Sequence, residues 1–307
     1  MSTKLPTIAI VAPSGYSPDA ARDERGMRQL QQHGWNIKNL VNPADRYQRF
    51  SAPDTVRLAQ IYAAADDPDV DVVLALRGGY GLSRLLPQLD FSRLAASGKK
   101  FAGFSDFTAF QLGLLASTGA VSFASPLVTD DFDVEPCCTF SFDHFTQCLT
   151  HPHYGFNVEV TGNQEIQARG ILWGGNLTMV THLIGTPYMP DIDRGILFIE
   201  DVNENPYRVE RMLLQLHYAG ILERQQAVIL GGFTNYKSTE YDNGYDFDAM
   251  LQFIRSHVNV PILKGLPFGH FVKKVTLPIG AQAELTSTAA GFSLRFSDYA
   301  VLGVLSR

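Results

Sequence analysis

The segment 70–76, VDVVLAL, constrains this chain most: it is apolar except for Asp71 and runs straight into Arg77-Gly78-Gly79-Tyr80-Gly81. A short apolar run closed by a glycine turn reads as a strand covered on both faces, the situation of a parallel sheet flanked by helices. Its neighbours fit that scheme. Residues 8–11 predict a buried strand ending at Pro13-Ser14-Gly15, and 19–33 a helix with Ala20, Ala21, Met27 and Leu30 apolar and Gly34 at its end. Residues 35–41 and 101–104 predict further strands, 54–65 and 106–117 further helices, and 82–86 a short helix. Such alternation indicates a parallel α/β unit. Ligands in these sheets bind beyond the carboxyl ends of the strands, where both glycine turns fall.

At 307 residues the chain exceeds what one core usually supports, so two domains are expected. The first covers 1–130. Periodicity is weak over 131–165, where Glu135-Pro136, His151-Pro152-His153 and Thr161-Gly162-Asn163 give a polar, Pro-bearing linker. The second domain, 166–307, predicts short strands at 196–199 and 227–230. Between them Asn205 caps a helix that has Pro206 in its first turn and a buried stripe of Val209, Met212, Leu213 and Leu216. The strand-like stretches VTLPIG, QAELT, FSLRF and AVLGVL follow, so this half is a mixed or antiparallel, β-rich α+β domain.

Composition removes several function classes. The net charge is −6 and no basic cluster is longer than Lys99-Lys100 or Lys273-Lys274, which excludes a nucleic-acid partner. Cys137, Cys138 and Cys148 are an odd set with two adjacent members, as expected of reduced thiols in a cytoplasmic protein. The N-terminal stretch lacks the apolar core of a signal peptide, and no run of about 18 apolar residues offers a membrane span. No H-E-x-x-H and no zinc-type Cys/His spacing occurs, so neither a metal nor a cofactor is expected.

Four segments carry chemistry. In FAGFSDFTAF, Ser105 stands at a strand-to-helix turn, the setting of a nucleophile elbow, with N–H groups of the helix start nearby. Phe107 breaks the G-x-S-x-G form, and Ser105 or Asp106 as a plain helix cap is the competing reading. In ALRGGYG, Gly78 and Gly79 could cradle a phosphate, make a tight turn, or supply an oxyanion N–H beside Ser105; glycine count does not choose. In ILFIED, Glu200 ends an apolar strand, where a carboxylate can reach into a cleft and hold an imidazole. Glu204, Arg208, Glu210 and Arg211 beyond it read as surface ion pairs. In GLPFGH, His270 follows a glycine-bracketed turn between two strands. His182 and His217 read as packing or hydrogen-bonded core groups, and His151 and His153 lie in the linker.

Together with VAPSGY, LWGGNLTMVTHLIGTPYMP and VTLPIGAQAEL, these segments resemble the LD-carboxypeptidases, or muramoyltetrapeptide carboxypeptidases, of peptidase family S66. No stretch alone is diagnostic; seven in family order, spanning nearly the whole chain, are specific. The resemblance implies an N-terminal parallel α/β domain with flavodoxin-like layering, contributing nucleophile Ser105. A C-terminal β-rich domain would contribute Glu200 and base His270, with the site in the cleft between them. It implies a homodimer and a murein tetrapeptide substrate, cut before the terminal D-Ala through an acyl-enzyme. Backbone N–H groups of Gly79 and Asp106 would form the oxyanion hole. Gly78, Tyr80, Trp173 and Asn176 would line the cleft, and Arg77 or Arg84 would meet the substrate's free carboxylate. Alternatives within the family are hydrolysis of peptide–nucleotide antibiotics for self-immunity and endopeptidase action on cross-linked muropeptides. Outside it stands a non-catalytic two-domain binding module.

Overall fold

Each apolar run that ends in a glycine turn forms a parallel strand in the computed structural model, which describes residues 5–302. In chain order the first half comprises β1 (Thr7–Val11), α1 (Ala20–Gln32), β2 (Asn36–Asn39), α2 (Asp54–Asp66), β3 (Val72–Ala75), α3 (Phe91–Ala96), β4 (Lys100–Gly103), α4 (Thr108–Thr118) and β5 (Ser122–Ala124). The five strands are parallel in the order β2-β1-β3-β4-β5. This is flavodoxin-like layering, in which the strand order reverses between β1 and β3. β1 and β3 are buried throughout, as their composition requires. In place of one short helix at 82–86, residues 82–88 make two 3₁₀ turns, Leu82–Arg84 and Leu86–Gln88.

The second half comprises α5 (Thr139–Thr150), β6 (Gly155–Glu159), β7 (Ile166–Asn176), α6 (Leu177–His182), β8 (Ile196–Val202), α7 (Pro206–Tyr218), β9 (Ala227–Thr234), α8 (Phe247–His257), β10 (Ile262–Lys264), β11 (Leu277–Ile279), β12 (Gln282–Thr288) and β13 (Gly291–Ser297). Its sheet is mixed, in the order β10-β9-β8-β7-β12-β13-β6. β10 through β7 are parallel, and the remainder is antiparallel.

Three expectations need amendment. Segment 131–165 is more than a connection: it holds α5 and β6, and β6 forms the far edge of the second sheet. The charged and proline residues flanking α5 hide its buried face of Phe142, Phe145, Cys148 and Leu149. Asn205 occupies the cap position of α7 but its side chain does not cap; Oδ1 accepts instead from the Lys237 N–H at 3.3 Å. Of AVLGVL, residues 300–302 are irregular and the remainder lies outside the described residues.

The two sheets are joined by exchange. β11 leaves the second half and pairs antiparallel with β5, extending the first sheet. One buried apolar cluster spans both sheets. The loop between β10 and β11 therefore crosses from one sheet to the other, carrying His270 with it. α4 is apolar nearly all round because it packs against α3 on one side and against α6 and β7 on the other.

Candidate active site

Ser105 follows β4 with φ of +64°, left-handed for a residue that is not glycine. Such a backbone costs of order 1–3 kcal/mol and persists only where the surroundings enforce it. Here they do. Neither Ser105 nor Asp106 caps the helix, which disposes of the competing reading. The Asp106 carboxylate is engaged elsewhere: Oδ2 accepts from Ser14 Oγ at 2.6 Å and from the Leu82 N–H at 2.9 Å. One buried side chain thus ties the Ser105 turn to the loops after β1 and β3. Burial pushes its carboxyl above the usual carboxylate range, against the opposing pull of those hydrogen bonds and of Arg57.

Glycine at 78 is dictated by Ser105. A Cβ there would lie 2.9 Å from both Cβ and Oγ of Ser105. The turn must therefore pass against the serine, which brings Gly79 to the cleft wall; the Gly79 N–H donates to no protein acceptor among the described residues. The Asp106 N–H sits in the first turn after Ser105, where helix-start donors lack internal acceptors.

The acid arrives from the second sheet. Glu200 lies in β8 at a bulge, where it alone stands opposite Gly231 and Gly232 of β9. Its side chain is fully buried. Oε2 accepts from His270 Nδ1 at 2.7 Å, and His270 Nε2 is 3.1 Å from Ser105 Oγ. The imidazole therefore connects a buried carboxylate to a hydroxyl across the two sheets. Phe104 braces it, with ring centroids 4.9 Å apart, and Phe104 packs edge-on against Phe268. The Phe268 carbonyl accepts from the Gly232 N–H at 2.8 Å, which docks the His270 loop onto β9.

Asn176 stands behind the acid and not on the cleft wall. Its Nδ2 donates to Glu200 Oε1 at 3.3 Å and to Asp201 Oδ1 at 2.9 Å, while its Oδ1 caps α6. Asp201 is held further by the N–H and hydroxyl of Thr178. The Asn176 N–H donates to Thr108 Oγ1 at 3.1 Å. A Cβ on Gly175 would lie 2.5 Å from that same oxygen. Small residues at the end of β7 thus let the first turn of α4 dock there, fixing Ser105 relative to Glu200.

Trp173 also lies away from the cleft: it is buried and donates through Nε1 to Gln225 Oε1 at 2.8 Å. Tyr80 is exposed against Phe50, outside the cleft lining. Arg84 pairs with Asp54 at 3.0 Å over the Phe50 ring, again outside. Gly78 and Arg77 do line the cleft, which encloses about 500 Å³ beside Ser105 and His270. A second cation, missed in sequence, lines it too: Lys274, in a buried ion pair with Asp131 at 2.5 Å. His182 is exposed and not part of the core, whereas His217 is partly covered and bonded to Glu223. The three cysteines are free thiols. Among the described residues, no cluster of three or more His, Cys, Asp or Glu is arranged for a metal, and no helix is long and apolar enough to cross a membrane.

A hydroxyl, an imidazole and a carboxylate in this chain of hydrogen bonds can perform acyl transfer by nucleophilic catalysis. Known carboxypeptidases resemble the chain in sequence and in fold. The profile of the LD-carboxypeptidase N-terminal domain matches residues 8–125, and that of the C-terminal domain residues 169–285. The muramoyltetrapeptide carboxypeptidase from Oxalobacter formigenes superimposes with a TM-score of 0.92 at 48% identity, covering 96% of this chain and 100% of that one. The murein tetrapeptide carboxypeptidase of Pseudomonas aeruginosa is 32% identical over 289 residues, 91% of this chain and 92% of its own. The microcin C7 self-immunity protein MccF of Escherichia coli is 25% identical over 297 residues, 84% of this chain and 83% of its own. With both domain profiles matched in order, the chain belongs to the LD-carboxypeptidase family.

Proposed function

We propose that the protein is a serine L,D-carboxypeptidase that removes the terminal D-Ala from murein tetrapeptides, as in cell-wall recycling. The observation that carries this reading is the unbroken path Ser105–His270–Glu200, with 3.1 and 2.7 Å links opening on the cleft. Ser105 Oγ attacks the carbonyl of the last peptide bond while His270 Nε2 takes its proton. Glu200 holds the tautomer with Nδ1 protonated and stabilises the imidazolium that forms. The N–H groups of Gly79 and Asp106 receive the developing oxyanion; one such donor contributes about 3–4 kcal/mol in related chemistry. His270 then protonates the leaving amine of D-Ala, and water activated by the same imidazole hydrolyses the acyl-enzyme. The cytoplasmic setting and homodimeric assembly implied by the resemblance belong to the same reading, and light scattering in solution tests the dimer.

The discriminating experiment compares kcat/KM for a murein tetrapeptide with that for an aminoacyl sulfamoyl adenosine's hydrolysable counterpart. Preference for the tetrapeptide supports the carboxypeptidase. Preference for the nucleotide conjugate would move the protein to the self-immunity branch, and cleavage of cross-linked muropeptides would add endopeptidase action.

A further inference from the structure

We propose that Lys274, held by Asp131 beside the nucleophile, is the cation that meets the free α-carboxylate of the released residue. This rests on the carboxypeptidase reading above and names a contact that reading leaves open.

Both side chains are almost wholly buried, at 1% and 2% exposure, yet both residues border the cleft that contains Ser105 and His270. An ammonium is retained in such a place only when paired. Asp131 supplies the pairing with both oxygens in use: Oδ1 accepts from Lys274 Nζ at 2.5 Å and Oδ2 from the Leu127 N–H at 2.8 Å. Lys274 is less fully used. It carries three N–H donors, but among the described residues Asp131 is its one oxygen partner. Its Nζ also stands 3.9 Å from the centre of the Phe104 ring, a cation–π position that occupies at most one more N–H. Donor capacity is therefore left over on a charged group in the cleft wall.

Lys274 and His270 share one aromatic neighbour. Phe104 immediately precedes Ser105, and its ring is 4.9 Å from that of His270, so Lys274 lies one ring away from the reacting atoms. One residue of peptide spans about 3.3–3.6 Å and a charge-assisted bond adds about 2.7–2.9 Å. A cation roughly 6 Å from the attacked carbonyl is then what a carboxypeptidase requires. The other cation on the wall, Arg77, donates Nη1 to the Tyr16 carbonyl beside Gly15 and keeps a buried Nε without a partner among the described residues, so it is the rival that the test must separate from Lys274. Asp130, also on the wall, is offset by Arg22 at 2.9 Å.

The test is the ratio of kcat/KM for the tetrapeptide with a free terminal carboxylate to that for the same peptide ending in a primary amide. Wild type should favour the free acid by roughly 10- to 100-fold, the range for a hydrogen bond to a charged group. Lys274→Met should bring the ratio toward unity, chiefly through KM, and Lys274→Arg should restore part of it. Because Lys274→Met strands a buried carboxylate, the double variant Lys274→Met with Asp131→Asn is measured beside it, and the same collapse of the ratio is expected. The inference is overturned if wild type treats both peptides alike, if the double variant keeps the preference, or if Arg77→Met abolishes it while Lys274→Met does not. Failure of wild type to release D-Ala from the free-acid peptide overturns the carboxypeptidase reading itself, and this inference with it.

Discussion

Replacing Gly78 by alanine places a methyl group against the nucleophile and little else. Gly78 is outside the left-handed region, so its backbone accepts alanine. The added carbon would stand 2.9 Å from Ser105 Cβ and Oγ. Ordinary carbon contacts are about 3.5–4.0 Å, so roughly 0.6–1.1 Å of overlap must be relieved. Ser105 has little room to yield, being already at φ +64° and followed by Asp106, which is pinned to Ser14 and Leu82. The glycine loop and the serine must separate, and the Gly79 N–H moves with the loop. A shift of about 1 Å in such a constellation costs about 10²-fold in rate, or about 2.7 kcal/mol of transition-state stabilisation. Overpacking should cost the fold about 1–3 kcal/mol. Steady-state release of D-Ala by Gly78→Ala, with Tm recorded on the same preparation, reads both effects. We expect kcat to fall about 100-fold with KM less affected. A folded variant with wild-type kcat would refute the view that this close approach sets the catalytic geometry.

Three further outcomes are expected. Glu200→Gln keeps the shape of the acid but removes the carboxylate that fixes the imidazole tautomer, so kcat should drop by about 10⁴ with Tm little changed; a loss within tenfold of wild type, about 1.4 kcal/mol, would remove Glu200 from the triad. Asn176→Ala deletes both a cap and the donor shared by Glu200 and Asp201, so unfolding free energy should fall by about 1–3 kcal/mol and kcat should fall with it. Unaltered denaturant midpoints would contradict that. Burial raises the Asp106 carboxyl above its ordinary value of 3.8, so between the two values the folded state holds a proton that the unfolded state has lost. Stability from this group is therefore full below the ordinary value and lost as pH rises through the raised one. Asp106→Asn lacks that slope, and its Tm relative to wild type should improve steadily from acid toward neutral pH; the opposite trend would show that the carboxylate form is the favoured one.

Much of the first sheet could be read from sequence because β1 and β3 are apolar on both faces and end at glycines. Ser105, Glu200 and His270 stand out as candidates for a related reason, each at the end of an apolar run or beside a glycine turn, but it is the family resemblance that joins them into one site. What escaped depended on pairings between distant residues. Lys274 and Asp131 are 143 positions apart, and each alone resembles a solvated charge. The approach of Thr108 to Gly175 is likewise invisible before α4 is docked on β7. Trp173 and Asn176 follow the opposite course: both fall in a family motif that invites a cleft assignment, but β7 is central enough to bury them. The helix α5 is masked in the sequence by prolines and charges that mark its ends, not its face.

The most direct measurement is mass spectrometry of a murein tetrapeptide incubated with the wild-type protein and with Ser105→Ala, each with and without EDTA. The account predicts loss of one D-Ala with wild type, unaffected by the chelator, and none with the variant. D-Ala release that survives Ser105→Ala, or that stops on adding EDTA, would contradict it.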